Sequence, residues 1–430
     1  MLYNQNMEKT MKYDVVIVGG GTSGCACAYN CAKNNLKTLL IEKNNFLGGL
    51  MTGGLVVPIM KSSVENINCE YYDKLISTAK KYGAQITYKD KNDGWLNPEV
   101  LKIVLDEILD FENLDILFET TVKDVLYKNN VVQKLILSSN LLSLPIEASY
   151  FIDATGSGEF SKLCNCEFLD DTNSKQQNSL RFILGNVDLE KFSDFITSID
   201  KDENITNTYR NDIDTNNKIH LTTACTWDSS TYWALDEYLK EGVKKGLLKE
   251  EDRAYFQVFS VAGGDAQIAF NCPRINNYNN NPYKYSKELL KARQSVWRLY
   301  SFSKATFPGF ENAIITNIAT QTGIREHNRV KTKYIFTKDD LINSKEFKNP
   351  VLKANYSIDI HSDKKDGSTL KKTSTYELPI ESLMSNDYDN LFVIGKVVGA
   401  DFVAHSALRV QKSCMSMGEG IAKHIANILI

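Results

Sequence analysis

The feature that most constrains this chain is a glycine-rich turn near its start, set between an apolar run and a run of small residues. Tyr13 to Val18 (YDVVIV) is apolar and β-branched, which predicts a strand buried on both faces. It runs straight into Gly19-Gly20-Gly21-Thr22-Ser23-Gly24. The small residues from Cys25 to Lys33 predict a helix that Asn34-Asn35 ends, and Lys37 to Glu42 (KTLLIE) predicts a second strand. Together these make a βαβ unit, the opening of a doubly wound parallel sheet. Within Gly19-x-Gly21-x-x-Gly24, Gly19 permits the tight turn and Gly21 the close approach of a pyrophosphate, while Gly24 lets the helix pack on the strand. Thr22 and Ser23 open that helix, whose free N–H groups and positive dipole end suit an anion. Glu42, at the tip of the second strand, is placed to accept both hydroxyls of an adenosine ribose. A lone GxGxxG is weak. With strand, helix and terminal acid in register, it reads as dinucleotide binding.

An NAD domain would continue with further βαβ units. Here FLGGLMTGGLVV (Phe46 to Val57) follows at once, with Gly48-Gly49 and Gly53-Gly54 among apolar residues. Such a loop can press backbone amides against a second stretch of cofactor, the ribityl and flavin part. Lys43, Gly49, Leu50, Met51 and Thr52 therefore join the candidate cofactor contacts. The alternative is a simple flexible turn.

Further along, helices are expected at about 64–82 and after Pro98, where Val100, Ile103, Val104, Leu105, Ile108 and Leu109 form an apolar face. Strands are expected at Leu114 to Phe118, Val122 to Tyr127, Val131 to Leu137 and Tyr150 to Asp153. From about 186 to 380 the composition shifts towards Asn, Asp, Lys and aromatics, with one clear helix at about 286–303. Parallel-sheet character returns at Leu391 to Ile394, followed by a helix from about Ser413. The expected fold is α/β: a Rossmann-like, doubly wound nucleotide-binding domain (12–185 and 381–430) interrupted by a second, α+β substrate domain (186–380).

Lys plus Arg number 50 against 53 Asp plus Glu, and this near-balance argues against a generally basic nucleic-acid binder. No stretch approaches the roughly 18 apolar residues that span a bilayer, and the start has no signal-peptide pattern. The nine cysteines are odd in number and no two are three apart, so a cytoplasmic chain with reduced thiols is expected. Cys25, Cys27 and Cys31 read as small packing residues on the first helix, Cys164 and Cys166 as buried residues, and no metal site is expected. Cys272, before Pro273, lies in a loop that can border a pocket. There is one GxGxxG and no CxxC, which disfavours a pyridine-nucleotide disulfide reductase. No Walker A, HExxH or GxSxG pattern is present.

The motifs VVIVGGGTSG, LLIEK, FLGGLMTGGLV, LNPEVLKIVLDEIL, FIDATGSGEF, FNCPR, PGFENA, TGIRE and LFVIGKVVGADFVAHSALRV carry a resemblance. The chain resembles the FAD-dependent oxidoreductases of the glutathione-reductase superfamily, in the branch without an NAD(P)H domain. The resemblance covers most of the chain, with 190–255 matched least. It implies non-covalently bound FAD. It also implies that Val122 lies beside the adenine and that Asp153, Ala154, Thr155 and Gly156 return under the pyrophosphate. Gly395 would reach the ribityl chain, and the helix near Lys412 and Ser413 would aim its N-terminus at the flavin N1/C2=O edge. That last role has a general basis, since a helix dipole stabilises an anionic reduced flavin. Two departures stand out. Asn35 replaces the usual Gly at the end of the first helix, and Glu419-Gly420-Ile421 replaces Gln-Ala-Ala, so Glu419 is expected to face away from the ring.

The polar residues nearest the expected flavin face are His405, Arg325 and Arg409, with Lys396, Glu326, His327 and Lys412. His405 reads either as a proton acceptor or as an interior histidine bonded to backbone. Arg325 and Arg409 read as anchors for a substrate carboxylate, Arg409 alternatively as a structural partner of Glu326 or the cofactor. The expected function is FAD-dependent hydride transfer between a small polar substrate and flavin N5, the electron acceptor and direction being open. The alternatives are a flavoprotein acting on tRNA, with Lys364-Lys365 and Lys371-Lys372 as a local basic patch, and a dinucleotide-binding synthase without redox turnover. The expected partner is a small molecule, neither membrane nor nucleic acid.

Overall fold

The structure is a computed structural model describing residues 10–62, 67–88, 91–139, 142–170, 175–199, 206–211, 218–223, 233–278, 280–362 and 369–429. Strand β1 (Met11–Val18), helix α1 (Thr22–Lys33) and strand β2 (Thr38–Ile41) form the expected βαβ unit, with Val15 to Val18 in parallel register against Thr38 to Ile41. Helix α1 starts inside the glycine turn, because Gly21 supplies the extended N-cap. Asn35 takes a left-handed φ of 62°, a conformation asparagine tolerates.

Helix α2 (Glu70–Lys81) is shorter than the 64–82 expected, and 63–66 lie outside the described residues. Helix α3 (Val100–Ile108) follows Pro98 and buries Leu101, Val104, Leu105 and Ile108, whereas Ile103, expected on the apolar face, is exposed because it falls on the solvent side of the turn. Strands β3 (Leu114–Leu117), β4 (Thr120–Lys128), β5 (Val131–Ser139) and β6 (Leu142–Asp153) complete the first sheet with the late strand Leu391–Val393. Its order is β3-β2-β1-β6-β5-β4, and Leu391–Val393 also pairs with β6. Around β1 and β2 all pairs are parallel, while β4, β5 and β6 pair antiparallel. Strand β6 is much longer than the Tyr150 to Asp153 expected. Its first half pairs with β5 and its end with Leu391–Val393, while Ser143, Pro145, Glu147 and Ser149 conceal it in the sequence.

The alternation along β1 sorts the core. Val15 and Ile17 join the apolar cluster that contains Cys25, Cys27 and Ala28 of α1, whereas Val16 and Val18 join Val125, Leu135, Leu137 and Phe160. The parallel part is Rossmann-like, but the second face meets the β4–β5 hairpin and the short helix Glu159–Leu163. Among the described residues, that face is not wound with crossover helices as the doubly wound expectation had it.

The second sheet is antiparallel. It comprises β7 (Phe182–Gly185), β8 (Thr206–Asn211), β9 (Lys218–Thr223), β10 (Val258–Ser260), β11 (Ile268–Phe270) and β12 (Ile314–Ile318), in the order β8-β9-β10-β11-β7-β12. All six strands fall between β6 and Leu391 in the chain. Strand β7 ends at Gly185, so the expected boundary after 185 leaves one strand of this sheet on its far side. Helix α4 (Pro282–Thr306) extends the expected 286–303 at both ends, with Asn281 accepting the Lys284 N–H as an N-cap.

Helix α5 (Phe402–Leu408) precedes α6 (Gln411–Leu429), which begins slightly before the expected Ser413. Helix α6 crosses α1 at Gly418, where a Cβ would run into the Ser23 carbonyl oxygen and stand 3.0 Å from the Cys27 nitrogen. Glu419 turns away from that crossing: it accepts the Tyr71 N–H at 3.0 Å in the first turn of α2 and pairs with Lys423 at 2.7 Å. Among the described residues, no helix is long and apolar enough to cross a membrane. Gly418→Val is expected to cost about 1–3 kcal/mol or more, since the obstruction is backbone and cannot swing aside. Denaturant unfolding of variant and wild type measures this.

Candidate functional site

The turn after β1 is built from contacts that exclude side chains. Gly19 has φ +110°, and a Cβ there would lie 2.6 Å from the Ala154 carbonyl oxygen. A Cβ on Gly24 would strike the Gly19 carbonyl oxygen. Gly21 is different: a Cβ there meets nothing within 4 Å. The tight positions are needed for folding, and Gly21 opens onto space. The second glycine loop packs on the first. Gly48, φ +90°, donates its N–H to the Gly20 carbonyl at 2.8 Å, and a Cβ on Gly49 would stand 3.0 Å from Gly21 Cα.

Glu42 is buried, accepting the Gly20 N–H and the Asn44 N–H, each at 2.8 Å. Its backbone carbonyl accepts the Thr120 N–H at 3.1 Å, which brings the start of β4, and so Val122, to the tip of β2. Asp153 accepts from Thr155 and Ser161, backbone and hydroxyl in each case, and so shapes the Ala154-Thr155-Gly156 return. Gly395, φ +75°, closes on Ser23, whose hydroxyl a Cβ would meet at 2.6 Å. The Ser413 hydroxyl, at the start of α6, is buried without a hydrogen-bond partner.

Several expected contacts have other engagements. Lys43 pairs with Glu159 at 3.2 Å on the surface, and Lys412 lies 4.2 Å over the Tyr72 ring. Thr52 donates its hydroxyl to the Leu47 carbonyl at 2.5 Å, Met51 is fully buried, and the Leu50 carbonyl accepts the Val56 N–H at 2.9 Å. These three hold the loop in shape. Cys25 Sγ donates to the Gly20 carbonyl at 3.1 Å, and Cys164 and Cys272 are fully buried.

Beyond Gly395, Lys396 donates its ammonium to the Ile324 carbonyl at 2.8 Å and passes close to Gly156. Next to Ile324 begins a ring of polar side chains. Arg325 donates to the Gln177 carbonyl at 2.7 Å, and the Gln177 side-chain oxygen lies 3.5 Å from Arg274 Nη1. Arg274 stacks on the Tyr255 ring at 3.6 Å, with Nη2 2.9 Å from His361 Nδ1. His361 Nε2 faces Asp359 Oδ1 at 3.1 Å. Asp359 accepts from Arg409, side chain at 3.2 Å and carbonyl at 2.9 Å, which closes the set. Arg325 and Arg409, singled out in the sequence, are thus brought together. Asp359, His361 and Gln177 were missed. Their one signal is the i, i+2 spacing of Asp359 and His361 at the strand Ile358–Ile360, which puts both on one face.

The family model described as FAD dependent oxidoreductase matches residues 14–428. The chain belongs to the FAD-dependent oxidoreductases. Its cofactor is FAD, and the open face at Gly21, the acid at Glu42 and the orphan Ser413 hydroxyl fit that group. This oxidoreductase is also 33% identical over 73 residues to a mitochondrial glycerol-3-phosphate dehydrogenase of Rattus norvegicus, covering 15% of this chain and 10% of that one. It is 26% identical over 167 residues to a thiamine thiazole synthase of Pyrococcus horikoshii, covering 36% and 62%. A glycerol 3-phosphate oxidase of Mycoplasma genitalium is 28% identical over 157 residues, covering 33% and 38%. The chain therefore spans less than two thirds of each of these relatives.

Electrostatics distinguish the expected catalytic groups of this oxidoreductase. His405 is fully buried with Nε2 3.0 Å from the Lys396 carbonyl; burial, then Arg329 and Arg409, push its pKa well below the usual imidazole value. It matches the interior-histidine reading. Burial brings Lys396 down to about 8 and holds Arg325 well below the ordinary guanidinium value, with Arg274 and Arg409 adding to the latter. Burial pushes Glu326 up to about 7, against the Gln176 N–H and Arg409, which favour its charge.

Two outcomes follow from these contacts. Gly21→Ala is expected to leave apoprotein stability within about 0.5 kcal/mol while weakening FAD binding about tenfold or more, because only the ligand meets the new methyl. Thermal melts of the apoprotein and FAD titration check both halves. Glu326 has a folded pKa above its ordinary 4.5, so the stability linked to its protonation is lost as pH rises through about 7. Glu326→Gln is expected to remove that loss, so melting temperatures of variant and wild type diverge in the variant's favour between about pH 4.5 and 7.

Proposed function

We propose that this protein oxidises a small, polar, anionic molecule with FAD as the immediate electron acceptor. The observation that carries the reading is that Arg325 and Arg409 lie near enough for the charge of Arg409 to lower the pKa of buried Arg325, with Lys396 bonded to the neighbouring Ile324 carbonyl. When bound, the flavin of FAD supplies a two-electron acceptor at N5 for a hydride from a substrate C–H or N–H bond. Arg325 and Arg409 bind the anionic group of the substrate and fix the reacting bond's position. His405, neutral and bonded to the Lys396 carbonyl, holds the 395–397 turn. Glu326 is the proton acceptor in this reading, since its pKa near 7 leaves it partly ionised at neutral pH. The resemblance to a glycerol 3-phosphate oxidase, an enzyme named for an anionic substrate, supports the same class.

In this reading the chain has the two-part organisation of the glutathione-reductase superfamily branch without an NAD(P)H domain. Residues 12–185 and 381–430 hold FAD, and 186–380, with the antiparallel sheet, shape the substrate side. The protein works in the cytoplasm, in keeping with the free thiols among its described cysteines. The proposed substrate is a small molecule rather than tRNA: Lys364-Lys365 lie outside the described residues, and Lys371 is exposed on a short strand. The match to a thiamine thiazole synthase supports a second reading, a holder of the dinucleotide without redox turnover.

The visible spectrum of the purified protein separates the two. Flavin bands with FAD released on denaturation, bleached anaerobically by a small anionic substrate, support the oxidoreductase reading. FAD that no such compound bleaches, in a protein that turns over without redox change, supports the second. With the bleaching substrate, Arg325→Lys is expected to raise KM about tenfold or more with a smaller change in kcat, because the fork that binds the anion is lost. Steady-state kinetics measures the split.

A further inference from the structure

The ring Arg409–Asp359–His361–Arg274–Gln177–Arg325 carries more positive charge than one carboxylate can balance. It contains three guanidiniums and a single acid, and His361 is neutral: burial and Arg325 hold its pKa well below the usual value. Asp359 is ionised. Burial alone would raise it, but His361 and Arg409 outweigh that and hold it well below the carboxylate range. The ring itself, among the described residues, leaves two positive charges over. Of its neighbours, Glu326 is matched by Arg329 at 3.5 Å, and Arg181, bonded to the Leu55 and Val57 carbonyls, adds a further positive charge. Buried charge is costly unless paired. Two donors, Nε of Arg274 and Nε of Arg409, are buried without a partner, against one acceptor, Asp359 Oδ1, which has His361 Nε2 3.1 Å away but no aligned hydrogen bond.

We propose that this ring recognises a doubly negative group of the substrate, a phosphate monoester or a pair of carboxylates, and that Asp359 and His361 are positioning residues for it. The inference rests on the reading of Arg325 and Arg409 as the substrate's anion site and extends it to Arg274. A guanidinium only donates, so the proximity of Arg274 Nη2 to His361 Nδ1 leaves the imidazole proton on Nε2, facing Asp359. The acid thereby orients the ring of His361, and His361 orients Arg274, whose plane the Tyr255 ring also fixes. On its other side Asp359 bonds Arg409 directly. One carboxylate thus sets the direction of two of the three forks. A single planar carboxylate needs one such fork; three guanidiniums within electrostatic reach of one another suit two charges.

The test uses the FAD-bound protein at constant ionic strength, titrated with inorganic phosphate, succinate or acetate and followed by the flavin difference spectrum. Phosphate or succinate is expected to bind about tenfold or more tightly than acetate. Tighter phosphate than succinate identifies the phosphate monoester, and the reverse identifies the dicarboxylate. Arg274→Gln is expected to abolish the preference while acetate binding persists through Arg325 and Arg409. His361→Gln, whose amide can accept from Arg274 and donate to Asp359, is expected to keep the preference, whereas His361→Leu loses it. The flavin spectrum and melting temperature of each variant report whether it folds. Equal binding of all three anions, or a preference that survives both Arg274→Gln and His361→Leu, overturns the proposal and leaves the anionic-substrate reading standing. No response to any anion overturns both.

Discussion

The joining of the two ends of this chain depends on glycine backbone meeting its neighbours closely around Ser23. Gly24 folds onto the Gly19 carbonyl, Gly395 onto the Ser23 hydroxyl and Gly418 onto the Ser23 carbonyl, each at a distance that leaves no room for a methyl group. These contacts bring β1, the turn after Leu391–Val393, and the middle of α6 to one point. Segments from both ends of the chain can only share that point because three glycines carry no Cβ. The same packing leaves Gly21 facing open space, and the second glycine loop comes to rest against it. The open face at Gly21 is the by-product of that close approach.

The other governing force is burial of positive charge. Arg181, Arg274, Arg325 and Arg409 come from separate parts of the chain, and each is tied to backbone carbonyls or to the Asp359–His361 pair. Burial lowers the pKa of Arg181 to about 10 and that of Lys396 to about 8, so the region is ready to gain an anion. Glu326, raised by the same burial, lies against this region. The lowered pKa of Lys396 and the raised pKa of Glu326 arise from one cause, exclusion of water from a cluster of charged side chains.

The dinucleotide unit was legible because its requirements are local. A strand, three glycines at fixed spacing, a helix of small residues and an acid at the next strand tip lie within one stretch of chain, and the structure builds them in that register. The reach of β6 was hidden by Pro145 and its polar neighbours, and α5 left no signal because Phe402 to Leu408 is too short to display a period. Lys43 and Lys412, placed at the cofactor by their position in a motif, pair with Glu159 and Tyr72. Long side chains are free to find partners that the backbone trace does not announce. The small-residue context of His405 reads both as a proton acceptor's and as an interior histidine's. That context is what buries it.

The sequence alone determined the cofactor class, since a glycine's lack of a side chain acts where it stands and its spacing can be counted. Only the tertiary structure decided which acid and which imidazole serve Arg325 and Arg409. Asp359 and His361 sit on a strand remote in the chain from Arg274 and Gln177, and charges pair by distance in space, which no spacing along the chain records. The antiparallel sheet that sets β7 beside β11 and β12 was decided at the same level, by burial of Phe182 against Phe270, whose rings stack 4.4 Å apart.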